Sequence, residues 1–130
     1  MSLIKGVGVD LVCVSDVAWL IETLGEPVLA RVFSAAELRA AREAPDPAAS
    51  LAGRFAVKEA VFKAVAHHTP AGAFDLRMVE SANEPDGCPR VNINDCLRAV
   101  LDRASVADLH ISLTTESGHA LAVALATAPQ

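Results

Sequence analysis

Arg54-Phe55-Ala56-Val57-Lys58-Glu59-Ala60-Val61-Phe62-Lys63 reads as a helix. Ala, Glu and Lys favour helix, and neither Gly nor Pro interrupts the run. Glu59 and Lys63 stand four apart and share a face, and Arg54 and Lys58 add two cations. Phe55 and Phe62, seven apart, mark an apolar stripe that is expected to be buried. A carboxylate and several cations on one buried helix suit a metal and a phosphate; the plainer alternative is a solvated ion pair at helical spacing. A second stretch, Gly6-Val7-Gly8-Val9-Asp10, favours the former. It places a carboxylate within an apolar run, where it is costly unless paired, hydrogen-bonded or bound to a metal.

Working outward, Leu3 to Val12 is apolar and β-branched with glycines at 6 and 8, the pattern of a strand that another backbone approaches closely. The GxG lacks a third glycine opening a helix, so it is weak evidence for a dinucleotide site. Ser15 caps an expected helix to about Leu24, with Gly25 as its stop. Trp19 within it is expected in the core, or at an interface if the chain oligomerises. Pro27 suits the first turn of a short helical piece, Val28 to Val32. Ser34-Ala35-Ala36-Glu37 is a capping box for a helix from Ala35 to about Glu43. Pro45-Asp46-Pro47 separates it from the long helix, which runs from Ala48 or Ala49 to about Ala66. His67 to Gly72 is an expected loop, and the alternation over Ala73 to Ser81 predicts a strand. Asn83 to Pro89 reads as a turn-rich connection before a short strand, Arg90 to Ile93. Asn94 or Asp95 caps a helix to about Ala104. Asp108–Leu113 and His119–Ala126 predict a C-terminal antiparallel hairpin with its turn in 115–118.

Bulk properties narrow the class. With 130 residues, 52% of them apolar, the chain is expected to fold as one domain with a real core. The net charge of −5 argues against non-specific nucleic-acid binding. Cys13, Cys88 and Cys96 are an odd number without metal-type spacing, which favours reduced thiols in a cytoplasmic protein. The adjacent His67 and His68 are poorly spaced for zinc. Neither a signal-peptide layout nor an apolar run of about 18 residues is present, so no membrane span is expected.

Four groups of residues, in their order and spacing, resemble the holo-acyl-carrier-protein synthases, the small single-repeat 4'-phosphopantetheinyl transferases. They are Gly6-Val7-Gly8-Val9-Asp10, Arg54-Phe55-Ala56-Val57-Lys58-Glu59-Ala60 with Lys63, Gly87-Cys88-Pro89-Arg90, and His110-Ile111-Ser112-Leu113. The mid-chain motif is specific; the other three persuade only together. The resemblance implies a single domain over residues 1–130 with an α+β fold, an antiparallel sheet packed on a long central helix. It implies transfer of the phosphopantetheine arm of coenzyme A to a serine of an apo acyl carrier protein, or of a carrier domain of a large synthase, with release of adenosine 3',5'-bisphosphate. This is chemistry of fatty acid biosynthesis. Mg²⁺, a cytoplasmic setting and a homotrimer with active sites between subunits are implied as well.

The same resemblance assigns Asp10 and Glu59 to Mg²⁺, which takes one or two carboxylates and completes its shell with water and substrate phosphate. Lys63 would put a point charge on the pyrophosphate. Glu59 would also serve as general base, directly or through a metal-bound water. Arg54 and Lys58 are candidates for the coenzyme's phosphates, with helix-surface solubility as the alternative. His110 and Pro89 match positions beside the nucleotide, and Ser112 could offer a hydroxyl there.

Three places depart from the family pattern. The basic cluster that commonly precedes the central helix is replaced by Ala44-Pro45-Asp46-Pro47-Ala48, leaving Arg42 as the nearest cation. The Gly-rich turn after the central lysine is replaced by Val65-Ala66-His67-His68-Thr69-Pro70-Ala71-Gly72. The first helix carries Asp16 and Glu22 where arginines usually meet an acidic carrier protein, so docking would rely on Arg31, Arg39 and Arg42, or the carrier would have a less acidic face. These departures leave a second reading, a non-catalytic trimeric scaffold or coenzyme A-binding module of the same fold. A third, a small nucleotide-binding or hydrolytic domain built on Gly6 and Gly8, has the least support. Asp10, Glu59 and Lys63 together favour the enzyme.

Overall fold

The structure, a computed structural model, describes residues 3–70 and 72–130; Ala71 of the expected 67–72 loop lies outside them. Its centre is the 19-residue helix α4, Pro47–Val65. Pro47 sits in its first turn, and Asp46 caps it by accepting from the Ala49 N–H at 3.1 Å. Leu51, Ala52, Ala56, Val57, Ala60, Val61, Ala64 and Val65 are all buried. Side chains so small and apolar on several faces belong to a helix that is covered on most sides.

One cover is a three-stranded antiparallel sheet in the order β1-β5-β4, from β1 (Ile4–Cys13), β4 (Asp108–Glu116) and β5 (His119–Thr127). Alternation decides its faces. Ala120, Ala122, Ala124 and Ala126 of β5 are buried against α4, as is Gly8 of β1. Val7, Val9 and Leu11 of β1 and Leu121 and Val123 of β5 face away and are exposed. In register, Val9 pairs with Val123 and Leu11 with Leu121, so these side chains form one apolar patch. Ser117 and Gly118, with φ of 52° and 74°, make the two-residue turn between β4 and β5. Positive φ at both positions is what a tight hairpin that matches strand twist requires.

The other side of α4 meets α1 (Val14–Thr23) and α3 (Ala35–Glu43), with α2 (Glu26–Leu29) between them in the chain. The capping box of α3 forms as expected: Ser34 Oγ accepts from the Glu37 N–H at 3.2 Å, and Glu37 Oε1 accepts from the Ser34 N–H at 2.9 Å. A small sheet of β2 (Glu80–Asn83) and β3 (Pro89–Asn92) and the helix α5 (Asp95–Arg103), capped by Asn94, complete the fold. Among the described residues no helix is long and apolar enough to cross a membrane.

Four expectations are corrected. Cys13, not Ser15, occupies the cap position of α1, because the first amide, Val14 N–H, is already taken by the Gly118 carbonyl of the hairpin turn at 2.9 Å. Residues 73–81 are not one strand. Asp75 accepts from the Arg77 N–H and starts a 3₁₀ turn, Leu76–Met78, so pairing begins only at Glu80. Trp19 is 59% exposed, which overturns its placement in the core and leaves the interface alternative. Phe62 is partly exposed and packs edge-to-face on Phe74, while Phe55 does the same on Phe33.

Gly6 and Gly8 set how close α4 lies. A Cβ at Gly8 would overlap the Ala60 carbonyl oxygen and stand 2.9 Å from the Ala64 nitrogen; one at Gly6 would overlap the Ala64 carbonyl. These obstacles are helix backbone, which cannot turn aside as a side chain can. Gly8→Ala is therefore expected to destabilise the protein by about 3 kcal/mol or more, at the upper end of overpacking costs, read as a fall in the urea unfolding midpoint.

Candidate active site

Asp10 and Glu59 reach the same place from different elements. Asp10 is near the end of β1, on the face that carries Gly6 and Gly8; Glu59 is beside Ala60 of α4, which contacts that face. Because the glycines let the helix lie directly on the strand, both carboxylates line one cleft of about 470 Å³. Lys63, one turn beyond Glu59, does not pair with it. Its ammonium donates to Asp10 Oδ1 at 3.0 Å and to the Val9 carbonyl at 2.9 Å, and it remains half-exposed. The cation is thus held on one of the two carboxylates that line the cleft and still meets water.

Glu59 holds its proton above the ordinary glutamate range. Partial burial is the main cause and the Asp10 charge adds to it, while Lys63 opposes. Two carboxylates whose charges work against each other are a natural place for a cation. Oxygen donors of this kind suit a hard divalent ion that fills the rest of its shell with water and phosphate. Among the described residues no group of three or more His, Cys, Asp or Glu is arranged to hold a metal, so any ion here rests on this pair and its substrate.

Apart from Asp10, Glu59, Asp16 and Cys13 the cleft is lined by apolar residues. Its walls are Val17 and Leu20 of α1, Val28 and Leu29 of α2, Phe33, and Phe55 of α4. Sequence reasoning missed these walls, although Phe33, just ahead of the Ser34 cap, stands where an apolar residue often fastens a helix start.

Lys58 is a correction. It is fully buried, and its ammonium meets Glu37 Oε1 at 2.6 Å, the Val79 carbonyl at 2.6 Å and the Leu76 carbonyl at 3.1 Å. Glu37 is fully buried too and accepts from the Ser81 N–H at 3.0 Å through its other oxygen. Burial pushes the Lys58 ammonium below its ordinary range, against the pull of the Glu37 charge. A side chain so enclosed has no face for a phosphate. It fastens α3 and the 76–81 segment to α4 instead.

The remaining predicted residues lie elsewhere. Arg54 donates to the Ser81 carbonyl at 2.6 Å and to Ser50 Oγ at 3.3 Å, and lines a second, polar cleft of about 380 Å³ with Asn83 and Thr115. No residue lines both clefts. Pro89 opens β3. His110 and Ser112 are exposed on β4, on the sheet face turned away from α4, with His110 Nε2 3.4 Å from Thr127 Oγ1. Since β5 separates β4 from β1, one chain brings Asp10, Glu59 and Lys63 together but leaves His110, Ser112, Pro89 and Arg54 apart from them.

Residues 6–124 match the model of the 4'-phosphopantetheinyl transferase superfamily. Holo-[acyl-carrier-protein] synthase of Thermodesulfovibrio yellowstonii is 34% identical over 96% of this chain and 100% of its own length. Fatty acid synthase subunit alpha of Candida parapsilosis is 32% identical over 93% of this chain, which spans only 6% of that much longer relative. The crystal structure of holo-[acyl-carrier-protein] synthase from Neisseria meningitidis has a TM-score of 0.85 at 28% identity, covering 95% of this chain and 98% of that one. The acyl-carrier-protein synthase–coenzyme A complex of Chronobacterium ammoniagenes gives 0.79 at 26%, covering 96% and 98%.

Two outcomes follow from the charges. Lys58→Met strands the buried Glu37 carboxylate and should cost about 3–5 kcal/mol in urea unfolding; adding Glu37→Gln should recover part of that loss, because a neutral amide can still accept from a backbone N–H. For Glu59, the folded state binds more protons than the unfolded state between the ordinary glutamate value, about 4.3, and the raised one. Stability therefore falls as pH rises through that interval. In buffers free of divalent cations, Glu59→Gln should raise the melting temperature at about pH 8, and the gain should vanish below about pH 4, where both states are protonated.

Proposed function

The chain belongs to the 4'-phosphopantetheinyl transferase superfamily, and from that premise we propose that it is a holo-[acyl-carrier-protein] synthase. It transfers the 4'-phosphopantetheine group of coenzyme A to a serine of an apo carrier and releases adenosine 3',5'-bisphosphate. The carrying observation is the convergence of Asp10 and Glu59 on one cleft, with the half-exposed Lys63 ammonium on Asp10.

The serine oxygen forms a bond to the phosphorus that bears the pantetheine arm, and the bond from that phosphorus to the bridging oxygen of the pyrophosphate breaks. The serine proton must leave as the new bond forms. Glu59, which lines the cleft beside Asp10, accepts it. Lys63, half-exposed on Asp10, would offer its ammonium to a phosphate oxygen and so offset charge on the leaving nucleotide. Asp10 and Glu59 would hold Mg²⁺, which when bound supplies further positive charge against the pyrophosphate. Arg54, already oriented by Ser50 and Ser81 in the polar cleft, is the remaining candidate for the coenzyme's phosphates.

The enzyme works as a homotrimer in the cytoplasm. Support for assembly comes from two observations: the apolar patch of Val7, Val9, Leu11, Leu121 and Val123 is uncovered, and His110, Ser112, Pro89 and Arg54 lie away from the carboxylates of their own chain. A neighbouring copy packed on that patch would supply them to Asp10 and Glu59. Unpaired cysteines fit a reducing compartment. A scaffold would gain nothing from Glu59 kept partly buried beside a second carboxylate that opposes its ionisation.

The protein incubated with coenzyme A, Mg²⁺ and an apo acyl carrier protein should add the arm to the carrier, seen by mass spectrometry, and omission of Mg²⁺ should abolish it. Glu59→Gln and Asp10→Asn should each slow turnover by about 100-fold or more, the scale of a lost general base or charge-stabilising group. Near-full turnover of Glu59→Gln would remove it from both roles. Light scattering of the same preparation should give three times the chain mass.

A further inference from the structure

The reacting serine belongs to a macromolecule, so the surface around the cleft mouth is also a docking surface. One rim of the cleft is α1, which contributes Asp16, Val17 and Leu20 to it. Next to Leu20, Trp19 leaves 59% of its surface in water and has no ring or hydrogen-bond partner among the described residues. Asp16, Trp19 and Glu22 follow one another at spacings of three, so they share a face with the indole between two carboxylates. Both carboxylates are exposed, and neither has an ion-pair partner among the described residues. From Val14 to Ala30 there is no Lys or Arg at all, and Glu26 is already paired with Arg42.

We propose that Asp16, Trp19 and Glu22 set the choice of carrier on this face of α1, with Trp19 as apolar anchor and the two carboxylates selecting a helix that is neutral or basic rather than acidic. The proposal rests on the transferase reading and names the chemistry of its partner. A single exposed apolar residue is ordinary. This one is a large aromatic, the type that anchors interfaces once water is expelled, and it stands on the helix whose Asp16, Val17 and Leu20 line the cleft that the acceptor serine must enter. Charge then selects the partner: an acidic helix would bring like charges against Asp16 and Glu22, whereas a lysine or arginine would find both carboxylates free.

Two probes test this: an apo carrier domain with a neutral helix beside its acceptor serine, and the same domain with several exposed residues of that helix changed to glutamate. The glutamate probe should show a KM about tenfold higher at low salt, with the gap narrowing as salt screens the repulsion. Trp19→Ala should raise the KM for the neutral probe by roughly tenfold or more while leaving the KM for coenzyme A in place. Glu22→Lys should shift preference toward the glutamate probe. A glutamate probe preferred at low salt, an unchanged carrier KM in Trp19→Ala, or a changed oligomer mass in that variant would each overturn the proposal while leaving the transferase standing. Failure to modify either probe would overturn the transferase reading itself.

Discussion

Backbone-to-backbone contact between β1 and α4 is the constraint on which the remainder of the molecule rests. Gly6 and Gly8 present no side chain, so the Ala60 and Ala64 turns of the helix settle directly on the strand. The alanines of β5 continue the same shallow floor beside it. Little bulk stands between sheet and helix, and the two carboxylates flanking that contact are brought to one cleft as a geometric result. Any side chain wide enough to part the two elements would act on stability and on the site together.

The central helix carries four charged groups within ten residues, and the fold gives them different fates. Lys58 is withdrawn entirely from water and bound to Glu37 and two carbonyls. Arg54 is oriented by a carbonyl and a hydroxyl at the wall of the polar cleft. Glu59 is partly desolvated, and Lys63 is kept at the surface on Asp10. A buried pair of this kind adds little net stability but is costly to break. It fixes the rotation of α3 and the 76–81 segment about α4, and so the side from which Glu59 faces the cleft. The functional charges stay accessible because a neighbouring charge does the structural tying.

The division of the predicted site between two faces of the sheet has one consistent meaning under the transferase reading. The carboxylates and Lys63 face the helix side; His110 and Ser112 face outward near the exposed apolar patch of β1 and β5. Under the proposed assembly, a second copy on that apolar face would be what joins the two groups. On the opposite rim, α1 offers a tryptophan between two free carboxylates to whatever brings the serine.

The sequence alone determined the elements whose signals are local. The Ser34-Ala35-Ala36-Glu37 box, the uninterrupted run through Lys63, the alternation from Asp108 to Ala126 and the glycine-punctuated first strand each depend on neighbours a few residues away, and each formed close to its expected bounds. The motifs carrying the family resemblance were legible for the same reason. Tertiary structure alone decided the rest. Lys58 and Glu59 are adjacent and equally polar, yet one is enclosed and the other faces a cleft, because each residue turns about 100° around the helix axis and only the packing partners say which direction is inside. The 73–81 alternation failed as a strand because Asp75 starts a 3₁₀ turn, and Lys58, distant in sequence, takes the carbonyls of Leu76 and Val79. Lys63 chose Asp10 over Glu59 because the glycines of β1 let strand and helix meet, a distance that no spacing along the chain encodes.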